Sequence, residues 1–168
     1  MDKFLENLEY TSKGTWYPIG VAIIVFLFMV FMHKRLSWRQ NFFAFCVIGY
    51  MTWTIDVIVG SYIDVFDLGK KHSEGIGEFV SYAVIPESLY VIYLNYLKQE
   101  KKWLYALFFT VLSFLFEWGL VKVGYMKLTG WRTWYTIPVY FGVFGFILPW
   151  LLQLLRREFS VENKKQNI

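Results

Sequence analysis

Five stretches of this chain run for 17 to 23 residues with almost no charge: Trp16–Met32, Asn41–Ile63, Ile76–Leu97, Trp103–Val121 and Trp134–Leu155. A helix rises about 1.5 Å per residue, so about 20 mainly apolar residues match the hydrocarbon thickness of a bilayer. Soluble core helices can be this apolar, but five in succession are not expected of a soluble domain. The pattern predicts an all-α integral membrane bundle of five transmembrane helices.

Composition agrees. Of 168 residues, 57% are hydrophobic and 18% charged, against about a quarter charged in an ordinary soluble domain. The mean hydropathy is +0.39. These values exclude a disordered polymer, a collagen-like repeat and a disulfide-stapled miniprotein. The length allows one domain: a tail over 1–15, a transmembrane domain over 16–155 and a polar tail over 156–168. No segment is long enough for a soluble catalytic domain.

The net charge of +4 comes from 17 basic and 13 acidic residues, grouped in short clusters between the runs. Ten Lys and Arg fall on the side of Lys34, Arg35, Arg39, Lys98 and Arg156, and seven on the other. The positive-inside rule therefore predicts an outside N-terminus and a cytoplasmic C-terminus. The tail before the first run is acidic (Asp2, Glu6, Glu9) and no small-residue cleavage site follows, so that run reads as a retained anchor and not as a signal peptide. Trp16, Trp38, Trp103, Trp134 and Trp150 mark run boundaries, where an apolar ring with a polar N–H suits the headgroup level.

Zinc, P-loop, dinucleotide and nucleophile-elbow motifs are absent, and no cofactor is expected. Nor is there a nucleic-acid-binding motif, so nucleic acid is not an expected partner. The single Cys46 lies in an apolar run and reads as a small hydrophobe. The histidines, His33 and His72, flank runs away from Cys46, Ser81 and Ser113, which argues against nucleophilic catalysis. Asp56 and Asp64 stand eight residues apart, about 12 Å along a helix, too far for an aspartate dyad. No catalytic residues are assigned.

What needs explaining is a set of acids inside the runs. A charged side chain at a helix centre costs about 2.5–3.5 kcal/mol on insertion scales, and such residues turn inward and find partners. From the helical rise, Asp56 and Glu117 lie roughly 22 and 21 Å from the inner side, and Glu87 about 16 Å below the outer end of its helix. Pro86 precedes Glu87 and frees the Tyr82 carbonyl. Asn95 follows Glu87 by eight residues and roughly shares its face, while Trp53 and Trp118 stand next to the acids. Asp56, Glu87 and Glu117 are expected to face one another in an acidic, aromatic-lined pocket in the outer half of the bilayer. Trp53, Trp118 and Asn95 are included in that site. It would bind a proton, a cation or a cationic or other small ligand, in an activity associated with transport; the identity of any metal is open. The alternative is a non-catalytic assembly subunit of a membrane complex. Its acids would pair with Lys122, Lys127 or Arg132, or hydrogen-bond to Thr52, Tyr62 or Tyr82, and hold the helices together. Expected partners are the lipid bilayer, the ligand, and a membrane protein or second copy of the chain. In the fifth run Pro138, Gly142, Gly145 and Pro149 permit close packing and bending.

The segment FEWGLVKVGYMKLTGWRTWY, Phe116 to Tyr135, resembles the later part of small multi-pass membrane proteins of spore-forming Gram-positive bacteria. There a membrane glutamate is followed by Gly-Tyr and a tryptophan pair, here Glu117, Gly124, Tyr125, Trp131, Trp134 and Tyr135. Asp56 and Pro86 also fit, so the likeness spans the second to fifth runs. It implies a multi-pass protein of a bacterial plasma membrane and no particular reaction.

Overall fold

The computed structural model describes residues 12–63, 65–69 and 75–165, with the side chains of 56, 57, 60, 61 and 158–165 excepted. The expectations for the acidic N-terminal tail and for Asp64 fall outside the described residues. Helix α1 is Trp16–Phe31 and α2 is Trp38–Asp56, whose end widens into a π-helical turn over Val57–Tyr62. The third run forms two helices, α3 (Ile76–Ala83) and α4 (Ile85–Tyr96). Helix α5 is Lys102–Lys122. The fifth run enters through a 3₁₀ turn at Thr133–Tyr135 and continues as α6 (Thr136–Gly142), a π turn (Val143–Ile147) and α7 (Leu148–Lys165). The Gln99–Lys122 and Thr133–Arg157 stretches are long and apolar enough to cross a membrane, and Trp16–Phe31 is a shorter apolar helix.

The four prolines account for the joints. Pro18, Pro86, Pro138 and Pro149 each fall within the first three residues of α1, α4, α6 and α7, where the missing N–H costs little. Between α3 and α4 the chain turns aside at Val84 (φ −126°, ψ −48°), so the third run is broken where a single span was expected. Pro149 cannot donate to the Gly145 carbonyl, and the helix widens over the preceding turn.

Helix α4 is the axle of the bundle. Ile85 and every residue from Glu87 to Asn95 are buried, with α1, α2 and α7 packed around it. A helix enclosed on all sides has no reason to be amphipathic. Beside it Tyr93, Phe109 and Phe144 meet in pairs with ring centroids 5.0–5.5 Å apart. The Tyr93 hydroxyl donates to the Phe144 carbonyl in the widened turn.

Connections alternate between two ends. At one end the α1–α2 loop is held to α4 by Asn95. Its Oδ1 accepts from the backbone N–H of Arg35 (2.9 Å) and Leu36 (3.0 Å), and its amide donates to Asn41 Oδ1 (2.7 Å) and the Val91 carbonyl (2.9 Å). At the other end the two longer connections pair as a short antiparallel ribbon, β1 (Phe66–Leu68) with β2 (Met126–Leu128). The all-α expectation had no place for this ribbon. Both segments alternate apolar, charged, apolar, and Asp67 stands opposite Lys127 in the register, a favourable cross-strand placement. Leu68, Tyr125 and Met126 form a second, smaller core beneath it.

Two glycines admit side chains from neighbouring elements. A Cβ at Gly77 would overlap the Tyr125 ring, and one at Gly119 would overlap the phenol of Tyr17. Gly119→Ala is therefore expected to lose about 1–3 kcal/mol, seen as a lower unfolding temperature. Combining it with Tyr17→Ala should recover part of that loss. An unshifted melting curve for Gly119→Ala would show that Tyr17 is free to move aside.

Candidate functional site

A cavity of about 320 Å³ lies beneath the ribbon. Its walls draw on α1 to α6: Tyr17 from α1, Thr52 and Ile55 from α2, Ser81 and Tyr82 from α3, Tyr90 from α4, Glu117 from α5, and Tyr140 from α6. Phe66, Leu68 and Met126 close it on the ribbon side. Val59 and Val143, one from each π turn, also line it, and widened turns of this kind recur at functional sites.

Glu117 is the acid in this wall. It is 7% exposed and lies on the buried face of α5 with Ser113, one turn earlier. Its Oε2 accepts a 2.8 Å hydrogen bond from the Tyr140 hydroxyl. Its Oε1 has no hydrogen-bond partner among the described residues. The Thr136 hydroxyl beside it donates to the Thr133 carbonyl at 2.5 Å, at the turn where α6 begins. A half-satisfied carboxyl in a low-dielectric wall demands a donor or a cation. Tyr17, Tyr82, Tyr90, Phe116, Trp131 and Tyr140 line the space. Trp131 is delivered there by a turn in which the N–H groups of Thr129, Gly130 and Trp131 all donate to the Val65 carbonyl, at 2.9, 3.0 and 3.1 Å.

The other expected site residues are distributed differently. Glu87 is fully buried (0% exposed), but it does not line the cavity. Its carboxyl packs against Gly49 of α2, where a Cβ would stand 3.1 Å from Oε1. Apart from the pull of its own backbone N–H, neither carboxyl oxygen has a partner among the described residues. Glu87 and Glu117 thus occupy separate surroundings, and Tyr90 of the same helix as Glu87 joins Glu117 and Tyr140 in the cavity wall. The side chain of Asp56 lies outside the described residues; its neighbours Thr52 and Ile55 reach the cavity. Trp53 and Trp118 point outward, 57% and 45% exposed, and neither lines the cavity. For Trp118 the reason is helical phase, because a residue adjacent to a buried acid is rotated about 100° from it. The Lys122 ammonium sits over the Trp118 ring, 5.2 Å from its centroid. Asn95 is at the opposite end of α4, bonded to the α1–α2 loop at Arg35 and Leu36, to Asn41 of α2 and to the Val91 carbonyl of its own helix. It leaves the site.

Tyr140, Tyr90 and Thr136 enter the site without having been anticipated. Ser113, four residues before Glu117, carried the one available signal, since i and i+4 share a helix face. Among the described residues no group of three or more His, Cys, Asp or Glu gathers in a form that could hold a metal. Comparison with protein-family models, with curated proteins and with solved structures finds no match to this chain.

Proposed function

We propose that this chain is a five-span protein of a bacterial plasma membrane that binds an apolar organic cation in the cavity beneath the ribbon, as part of a transport-associated activity. The observation that carries the reading is Glu117: one carboxylate oxygen bonded to Tyr140 and the other without a hydrogen-bond partner among the described residues, in a largely apolar space lined by aromatic side chains. A carboxylate supplies charge, ring faces attract cations, and the apolar walls favour carbon over water.

Support for the membrane setting comes from the surface. In the most apolar parts of the two membrane-length stretches, only 28% and 33% of the residues are buried. Ile24, Phe31, Phe42, Leu104, Phe108 and Phe146 are all exposed. Water would not tolerate so much outward apolar surface, whereas lipid would cover it. The lysine and arginine bias favours the ribbon end outside and the Asn95 end in the cytoplasm. A reporter fused after Ile168 is expected to be active only in its cytoplasmic form; activity only in the exported form would reverse the orientation.

The ligand reading is tested with purified protein in detergent, titrated with benzyltrimethylammonium and with its uncharged carbon analogue, neopentylbenzene. Saturable heat with the cation and none with the neutral analogue is expected. Equal binding of the two, or no binding of the cation, would overturn it.

A further inference from the structure

A second hollow opens on the side of the molecule, between α1 and α5 and down to the axle helix. It measures about 690 Å³ and is lined by Ile24, Val25 and Phe28 of α1, by Leu89, Ile92 and Tyr96 of α4, and by one face of α5. Along α5 the lining runs from Leu104 through Phe108 and Leu112 to Phe116, and Lys101 stands at its start. From Lys101 to Phe116 the groove is about 22 Å long at the helical rise, enough for an extended long-chain acyl group.

Its two ends differ in chemistry. The body is apolar. At one end Lys101 lines the groove, with Lys98 three residues before it and one acid, Glu100, beside it, while the neighbouring Lys102 ammonium is turned to the Trp103 and Phe146 rings. Tyr96 and Tyr105 line the same end, and the Phe28 ring stacks on Tyr96 with centroids 6.4 Å apart. By the orientation given above, this end faces the cytoplasm, and basic pockets between helices on that side bind anionic headgroups. The far end meets the first cavity, since Leu89 and Phe116 line both spaces.

We infer that the groove between α1 and α5 holds an anionic phospholipid of the cytoplasmic leaflet, with its phosphate at Lys101 and one acyl chain lying along α5 as far as Leu89 and Phe116. The chain then forms the far side of the wall behind Glu117's cavity, so lipid occupancy braces the site. This inference rests on the membrane reading of the fold and does not depend on which cation the cavity takes.

The test is native mass spectrometry of the full chain released from detergent after equilibration with equal amounts of phosphatidylglycerol and phosphatidylcholine. Wild type is expected to retain phosphatidylglycerol preferentially. Lys101→Gln, at an exposed position that does not endanger folding, should reduce that preference about five-fold. Ile24→Trp and Leu104→Trp fill the groove from its two walls and should reduce retention of both lipids. Equal retention of the two lipids by wild type, an unchanged preference in Lys101→Gln, or undiminished retention in both tryptophan variants would each overturn the assignment. Recovery of the chain in the soluble fraction without detergent would overturn the membrane reading as well. A detergent-requiring protein that retains no anionic lipid would remove only the lipid assignment.

Discussion

Asn95→Ala is expected to destabilise the fold by about 3–5 kcal/mol, more than any other single polar substitution considered for this chain. The side chain bonds the backbone N–H groups of Arg35 and Leu36, the amide oxygen of Asn41 and the carbonyl of Val91. Truncation leaves at least three of those groups without a partner, at about 1–3 kcal/mol each when buried, with some relief from water at the loop. Asn41→Ala should cost less, about 1–2 kcal/mol, because Asn95 would still hold Arg35 and Leu36. Denaturant unfolding of the purified protein, followed by circular dichroism, gives both values. An Asn95→Ala variant within 1 kcal/mol of wild type would show that the α1–α2 loop is held by other contacts, such as the burial of Leu36.

Glu117→Gln is expected to weaken binding of benzyltrimethylammonium by about 10- to 100-fold, the range for losing one charge-assisted contact of roughly 1.5–3 kcal/mol. The amide keeps the shape and can still accept from Tyr140, so the fold should be conserved and the loss assignable to charge. Tyr140→Phe frees Glu117 Oε2 from its 2.8 Å bond and should alter affinity by only a few-fold, through orientation of the carboxylate. Glu87→Gln serves as the internal comparison. Because Glu87 packs against Gly49 and does not line the cavity, its affinity should stay within about two-fold of wild type. Calorimetric titration of the three variants decides the matter. Equal losses in Glu87→Gln and Glu117→Gln would mean that the acids act as one site. Full affinity in Glu117→Gln would remove the carboxylate from recognition.

The helical runs were legible because each one combines length with an absence of charge, and the observed elements begin and end within a few residues of Trp16, Ile76, Trp103 and Trp134. The breaks were legible in kind but not in form. Pro86 and Pro149 announced bends, yet nothing local distinguished a full interruption at Val84 from a widened turn at Val143–Ile147. The ribbon was missed because three-residue strands carry too little periodicity to stand out, and Phe66–Leu68 has meaning only opposite Met126–Leu128.

The acids show the same division. That Glu87 and Glu117 would be buried follows from the cost of exposing a carboxylate to an apolar setting. Which neighbours they meet depends on helix rotation, a difference of about 100° per residue that composition does not encode in a helix apolar on every side. Hence Trp118, adjacent to Glu117, faces outward while Tyr140, 23 positions away, supplies its hydrogen bond. By itself the sequence determined the five helical stretches, the presence of bends at Pro86 and Pro149 and the burial of Glu87 and Glu117, because those depend on local length, charge and proline chemistry. Only the tertiary structure decided that Glu117 shares a cavity with Tyr140 and Trp131, that Glu87 is sealed against Gly49, and that Asn95 holds a loop. Those outcomes depend on the phase and pairing of helices distant in the chain, which packing selects and no single segment contains.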